Sequence, residues 1–235
     1  PIAARRSEPD QPPFKQGIVH SHTGGLALLP NVEVAGYCDL APDLLDDFGR
    51  NWSGRWPDSK PYTDYKEMLD KENLDILGVV TSEHLHADIT VDAANAGVKG
   101  ILCEKPIATT IEDADRMIKA CEDNGTVLSI DHTRRWKPRF HKVREMVRSG
   151  AIGSLGTIVA TLGGPRAMLF ANGTHLIDMI CFFAESEPVQ VFARLEENYE
   201  GYAEYTNISN KDPANDPALS GFVLFDNGVR ALYCG

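Results

Sequence analysis

Ile101-Leu102-Cys103-Glu104-Lys105-Pro106, followed by Ile107-Ala108-Thr109-Thr110, is the stretch from which the fold of this chain is read. An apolar run ends abruptly in an acid, a base and a proline. Thr109-x-x-Glu112 and Thr110-x-x-Asp113 then form overlapping capping boxes. The helix they open places Ile111, Ala114, Met117, Ile118 and Cys121 on one face and stops at Asn124-Gly125. A buried strand feeding a helix in this way is the unit of an α/β sheet. Its tip sets a lysine on the rim where such sheets bind ligands.

The same alternation extends outward on both sides. Downstream, residues 127–130 form an apolar strand ending at Asp131-His132. Upstream, 74–80 predicts a strand ending at Thr81, and 85–96 a helix closed by Gly97. Further back, 32–38 predicts a strand ending at Asp39, and 42–52 a helix that Ala41-Pro42 starts. Between them, 51–61 reads as a loop, and Thr63 caps a short helix through Leu69. Residues 17–29 read as a loop running into a short apolar stretch. Strands apolar throughout are buried on both faces, with helices as right-handed crossovers. Asp39, Thr81, Glu104, Lys105 and Asp131 all fall at strand ends, on the ligand side of an open sheet.

Beyond Pro138 the texture changes to α+β. The pattern predicts helices over 139–148 and 174–184, strands over 155–162 and 189–195, and a polar loop over 207–218. Strands at 221–225 and 229–233 are joined by Asp226-Asn227-Gly228, a strong hairpin signal. The expected organisation is an irregular Pro-rich arm (1–16), a Rossmann-like doubly wound parallel sheet (17–136) and an incomplete α+β domain with a mainly antiparallel sheet (137–235). The first strand and glycine-rich loop of the doubly wound sheet are not evident: residues 13–20 hold a single glycine, not G-x-G-x-x-G.

Composition excludes several classes. A net charge of −11 argues against a nucleic-acid surface, which needs a clustered basic face. The local run of Arg134, Arg135, Lys137, Arg139, Lys142 and Arg144 reads as a solvated face. No apolar run is long enough to cross a membrane, and the first residues lack a signal-peptide pattern. Five cysteines without a CxxC pair imply buried thiols in a reducing compartment, hence a cytoplasmic protein. No metal-ligand spacing and no G-x-S-x-G elbow is present, so no metal is expected.

Single residues read two ways. Asp39 suits the acid that binds an adenosine ribose, and equally a strand-end acid capping the next helix. Lys105 at a dry sheet edge suits general acid/base work, and equally a surface lysine paired with Glu104. His175 and Asp178, three apart, share one helix face. His84 and His86 fit a loop or a helix start.

Taken in order, Asp39, Thr81-Ser82-Glu83-His84-Leu85-His86, Glu104-Lys105-Pro106, His132-Thr133-Arg134-Arg135-Trp136 and Asn172-Gly173-Thr174-His175-Leu176-Ile177-Asp178 resemble the Gfo/Idh/MocA family of NAD(P)-dependent oxidoreductases. The resemblance runs from about Pro30 to the C-terminus and implies a member truncated at both ends. It implies hydride transfer between a sugar or cyclitol alcohol and a nicotinamide cofactor. Lys105 and His175 would be catalytic. Asp39, Thr81, His86, Glu104 and Lys105 would bind cofactor, and Arg134 and Asn172 substrate. Leu40 beside Asp39, where a basic residue would favour a 2′-phosphate, points to NAD over NADP. A homo-oligomer through the second sheet is also implied. Ala171 stands where family members often carry an acid four residues before the histidine, and Ser82 stands where a proline is usual. With the missing glycine loop, Ala171 leaves a second expectation: a catalytically silent cofactor- or sugar-binding protein, or an inactive fragment.

Overall fold

The computed structural model describes residues 14–15, 18–19, 21–163, 168–199, 202, 204–205 and 215–235. Most of the Pro-rich arm and most of the predicted polar loop at 207–218 lie outside the described residues. The chain divides into two compact units: Pro1–Val80, Asp88–Leu102 and Met117–Ser129 in the first, and Thr81–Ala87, Cys103–Arg116 and Ile130–Gly235 in the second.

Two short strands, β1 (Phe14–Lys15) and β2 (Ile18–Val19), pair antiparallel with each other. They precede α1 (His22–Ala27), β3 (Gly36–Cys38), α2 (Pro42–Trp52), β4 (Lys60–Tyr62), α3 (Tyr65–Lys71) and β5 (Ile76–Val79). A 3-10 turn at Glu83–Leu85 leads into α4 (His86–Asn95), β6 (Gly100–Cys103), α5 (Ile111–Asn124) and β7 (Val127–Ile130). β3 and β4 pair in parallel, and β5-β6-β7 form a second sheet in that order. Val127 N donates to Lys99 O at 2.9 Å and Asp131 N to Cys103 O at 2.8 Å. The offset is the same at both ends of the pair, so β6 and β7 run in parallel. This is the Rossmann-like alternation that the apolar runs predicted.

Local chemistry accounts for the elements. Pro42 occupies the first turn of α2, where its missing N–H costs nothing. From that helix Phe48 and Trp52 pack with Trp56 against Ala27, Val34 and Tyr37. Trp56 Nε1 donates to Val32 O at 3.1 Å, so the indole is satisfied as well as buried. Thr110 Oγ1 accepts from Asp113 N at 3.1 Å at the start of α5, as the capping box predicts.

Three expectations are corrected. Residues 22–27 are helical rather than a loop: Ser21 Oγ accepts from Gly24 N at 3.0 Å, and this cap outweighs the poor propensity of Gly24 and Gly25. The cap of α3 is Asp64, whose carboxylate takes Lys66 N at 2.8 Å, not Thr63. A strand, β4, starts inside the expected loop; its Pro61 is tolerated because β4 has only β3 as a partner.

In the second unit a 3-10 turn at Thr133–Trp136 is followed by α6 (Pro138–Arg148), β8 (Thr157–Thr161), a π-type turn at Leu169–Gly173, α7 (Thr174–Ala184), β9 (Pro188–Leu195), β10 (Leu219–Phe225) and β11 (Arg230–Cys234). The sheet order is β8-β11-β10-β9, with only the β11–β8 pair parallel. Leu176, Ile180 and Ala184 of α7 pack on Phe225, Ala231 and Tyr233 of this sheet. Gly173, just before α7, lies so close to the Tyr233 hydroxyl that a Cβ there would overlap it.

Phe225 is 1% exposed at the centre of this core, whereas Val191, on the edge strand β9, is 64% exposed. Phe225→Ala should therefore cost about 3–5 kcal/mol in urea unfolding. Val191→Ala should stay within about 0.5 kcal/mol of the parent. Equal losses would contradict this placement of the core.

Candidate active site

The second unit gathers most of the residues singled out in the sequence. At the end of β6 the backbone N–H of Lys105 donates to Glu104 Oε2 at 3.2 Å. Its side chain reaches the turn before α7, where Nζ donates to Ala171 O at 2.8 Å. The Lys105–Pro106 bond is cis. The carbonyl of Pro106 meets His86 Nδ1 at 2.9 Å, and His86 Nε2 lies 3.3 Å from Thr81 O. His86 is fully buried, so it braces the 81–87 turn against the lysine loop. Thr81 is exposed, and its hydroxyl makes only a long contact of 3.4 Å to Ser82 O.

The turn that receives Lys105 is itself fixed from beneath. Asp216, fully buried, accepts Phe170 N at 3.0 Å and Ala171 N at 2.9 Å. A carboxylate taking backbone N–H groups in a dry setting makes strong, charge-assisted bonds. The peptide of Ala171 thus bonds Asp216 through its own N–H and Lys105 through its carbonyl. Asn172 is exposed on this turn.

One turn along α7 stands a histidine pair. The rings of His132 and His175 meet edge to face with centroids 5.7 Å apart. His132 Nε2 lies 2.9 Å from Thr174 Oγ1, and its Nδ1 lies 3.8 Å from Asp178 Oδ1. Arg135 Nε donates to the same Asp178 oxygen at 2.6 Å. Asp178 Oδ2 and His175 Nδ1 are buried without a hydrogen-bond partner among the described residues. Burial pushes the His175 pKa down to about 4, helped by the positive charges of Lys105 and Arg134. Burial also lowers that of His132; Asp178 opposes this, and Arg135 and Lys105 add to it. Both rings are neutral at neutral pH and can accept a proton.

The structure therefore brings Lys105, Glu104, Thr81, His86, Arg134, Asn172 and His175 into one unit. Asp39 stands in the other, at the end of β3, where its Oδ1 accepts from Ala41 N at 3.0 Å. It thereby holds the backbone just before α2, and the neighbouring Leu40 is 82% exposed. The sequence reading named His132 and Arg135 within a longer block but gave them no role, and it did not single out Asp216. Asp216 sat in a polar stretch with no periodic signal, and its role exists only because the fold returns it to residue 170.

Residues 25–132 match the model of an oxidoreductase family with an NAD-binding Rossmann fold, Gfo/Idh/MocA. Among curated proteins, the chain is 33% identical over 126 residues to D-apiose dehydrogenase of Paraburkholderia graminis, covering 54% of this chain and 32% of that protein. It is 32% identical over 127 residues to inositol 2-dehydrogenase of Salmonella typhimurium, covering 52% and 35%. Among solved structures, an aldose-aldose oxidoreductase from Caulobacter crescentus complexed with glycerol superposes with a TM-score of 0.68 at 25% identity, covering 85% of this chain and 61% of that one. In each case the chain spans less than two thirds of the relative's length.

The pKa shift of His175 has a measurable consequence. The unfolded chain takes up a proton on this ring near pH 6.5 and the folded chain only near 4. Stability should therefore fall as pH drops through that window and recover above it. NMR titration should place His175 near pH 4, and Lys105→Met should move it up towards 6.5. A midpoint at the ordinary histidine value in both proteins would contradict the geometry.

Proposed function

We propose that this chain, whose residues 25–132 match the model of the Gfo/Idh/MocA oxidoreductases, transfers hydride between a sugar or cyclitol secondary alcohol and NAD. The observation that carries the reading is the pinned lysine, with Nζ held at 2.8 Å on Ala171 O in the unit that also holds two neutral imidazoles. Nicotinamide, when bound, would supply the hydride acceptor. Lys105, charged while it holds Ala171 O, would first release a proton; the free amine would then hold the alcohol oxygen and take its proton, with His175 as a second acceptor, kept unprotonated by burial. Positioning of this kind supplies much of the rate in such transfers.

Asp39 fits the cofactor. Its backbone N–H is tied to Tyr62 O at 3.1 Å, and Ala41 N engages one carboxylate oxygen. An acid so fixed, with Leu40 and not a basic residue next to it in sequence, suits a ribose diol and repels a 2′-phosphate. In the second unit, Thr81, Glu104 and Lys105 are the further cofactor residues proposed, with His86 acting through its brace. Arg134 and Asn172 are proposed for substrate. Ala171 favours a second reading, a cofactor- or sugar-binding protein without turnover. Its methyl stands where an acid would flank the histidine, and Lys105 bonds its carbonyl instead.

Nicotinamide fluorescence separates these readings. NADH should bind, and turnover on polyols should fall about 10²–10⁴-fold in Lys105→Ala with NADH affinity nearly unchanged. A variant with full activity would remove Lys105 from the mechanism. Binding without turnover in the parent would favour the second reading.

A homo-oligomer through the second sheet is also part of the proposal. Val159, Leu232, Phe222 and Phe192 are register partners across β8, β11, β10 and β9, making one apolar row. Phe192 is 74% and Val159 67% exposed. An open apolar sheet face of this kind marks an association surface. Phe192→Asp should convert a sedimenting oligomer to monomer, and an unchanged sedimentation coefficient would refute the assignment. We place the protein in the cytoplasm: all five cysteines are free thiols, and no helix among the described residues is long and apolar enough to cross a membrane.

A further inference from the structure

A proton delivered to Lys105 or His175 must leave the site before the next turnover. His175 Nδ1 is buried with no hydrogen-bond partner among the described residues, so it offers no bonded exit. His132 beside it is differently placed. Its Nε2 lies 2.9 Å from the hydroxyl of Thr174, and its side chain is 17% exposed. Thr174 opens α7 one turn after Ala171, whose carbonyl holds Lys105 Nζ. Asp178, one turn further along the same helix, turns a carboxylate towards the far side of the His132 ring at 3.8 Å.

We infer that Thr174 and His132 form a proton relay leading out of this site, with Asp178 as the counter-charge of the imidazolium. The inference rests on the hydride-transfer reading above. With the alcohol O–H and C–H bonds broken and C=O formed, the C–H electron pair passes to nicotinamide and the hydroxyl proton to Lys105 Nζ. Thr174 Oγ, one turn along from the carbonyl that holds Nζ, would take that proton and give its own to His132 Nε2. The imidazolium then loses Nδ1–H to water, which restores the neutral ring, and proton exchange with water returns the remaining proton from Nε2 to Nδ1 before the next turnover. Asp178 is suited to its part because Arg135, bonded to Oδ1 at 2.6 Å, fixes the carboxylate beside the ring, while Oδ2 carries no other bond among the described residues. The acid missing at residue 171 is thus replaced by an acid at 178 that acts on a second histidine. The charged groups bearing on the His132 ring are Asp178 from α7, Arg135 from the following turn, Lys105 from the β6 end and Asp131 from the β7 end.

The test uses His132→Gln, which keeps a hydrogen bond to Thr174 but cannot titrate, and Thr174→Val. Each should lower kcat about 10–100-fold with KM and NADH affinity unchanged. Each should also remove the acid limb of the pH–rate profile. The double variant should be no worse than either single one, because both break one chain. Added imidazole should restore turnover to His132→Ala. A His132→Gln enzyme with parental kcat and pH profile would overturn the relay. NMR titration of His132 without cofactor is the independent arm: Asp178→Asn should lower its pKa, and Thr174→Val should change its tautomer signals. If the parent turns over no polyol, the hydride-transfer reading fails by itself. The titration then decides: a ring that responds to both substitutions keeps the hydrogen-bonded chain, and one that ignores them overturns it.

Discussion

The second unit depends on one carbonyl. Ala171 O accepts Lys105 Nζ at 2.8 Å and so joins the end of β6 to the turn before α7 across 66 residues of sequence. The bond holds because both partners are braced. The two N–H groups of Phe170 and Ala171 are fixed by a fully buried carboxylate, Asp216. On the other side, His86 ties the Pro106 carbonyl to the turn at Thr81. A flexible lysine side chain loses about 2 kcal/mol of rotamer freedom when fixed. The charge-assisted bond to the carbonyl offsets that loss, and the preformed turn adds no further ordering.

The same turn explains why α7 begins where it does. Gly173 leaves room for the Tyr233 hydroxyl, and the helix then rises with Leu176 and Ile180 on the sheet and His175 and Asp178 towards the polar cluster. Core and site therefore use different faces of one helix. Burial of the histidine pair, which suppresses its protonation, follows from the packing that builds the core.

Much of this was readable from the residues. The helices at 42–52 and 174–184 and the strand at 127–130 were predicted to the residue, because each has an apolar period with a Pro, Gly or cap at its ends. The strand ends at Asp39 and Glu104-Lys105 were also legible, because each follows directly on an apolar run. What the sequence could not carry were partners brought together only by folding. Asp216 caps residues more than forty positions away, and His132 acquires Thr174 and Asp178 from a helix that packs beside it. The helix at 22–27 was hidden by its own Gly24-Gly25, since a side-chain cap is invisible until the chain turns to meet it.

The central claim is that this lysine-centred cluster moves the hydroxyl proton while hydride leaves the carbon that bears the hydroxyl. Its most direct test is isotope transfer. The protein is incubated with NAD and polyols deuterated at their carbinol carbons, and deuterium in the reduced nicotinamide is read by mass spectrometry. The account predicts deuterium in the cofactor from the parent protein and none from Lys105→Ala. No deuterium from the parent, or equal transfer by the variant, would contradict it.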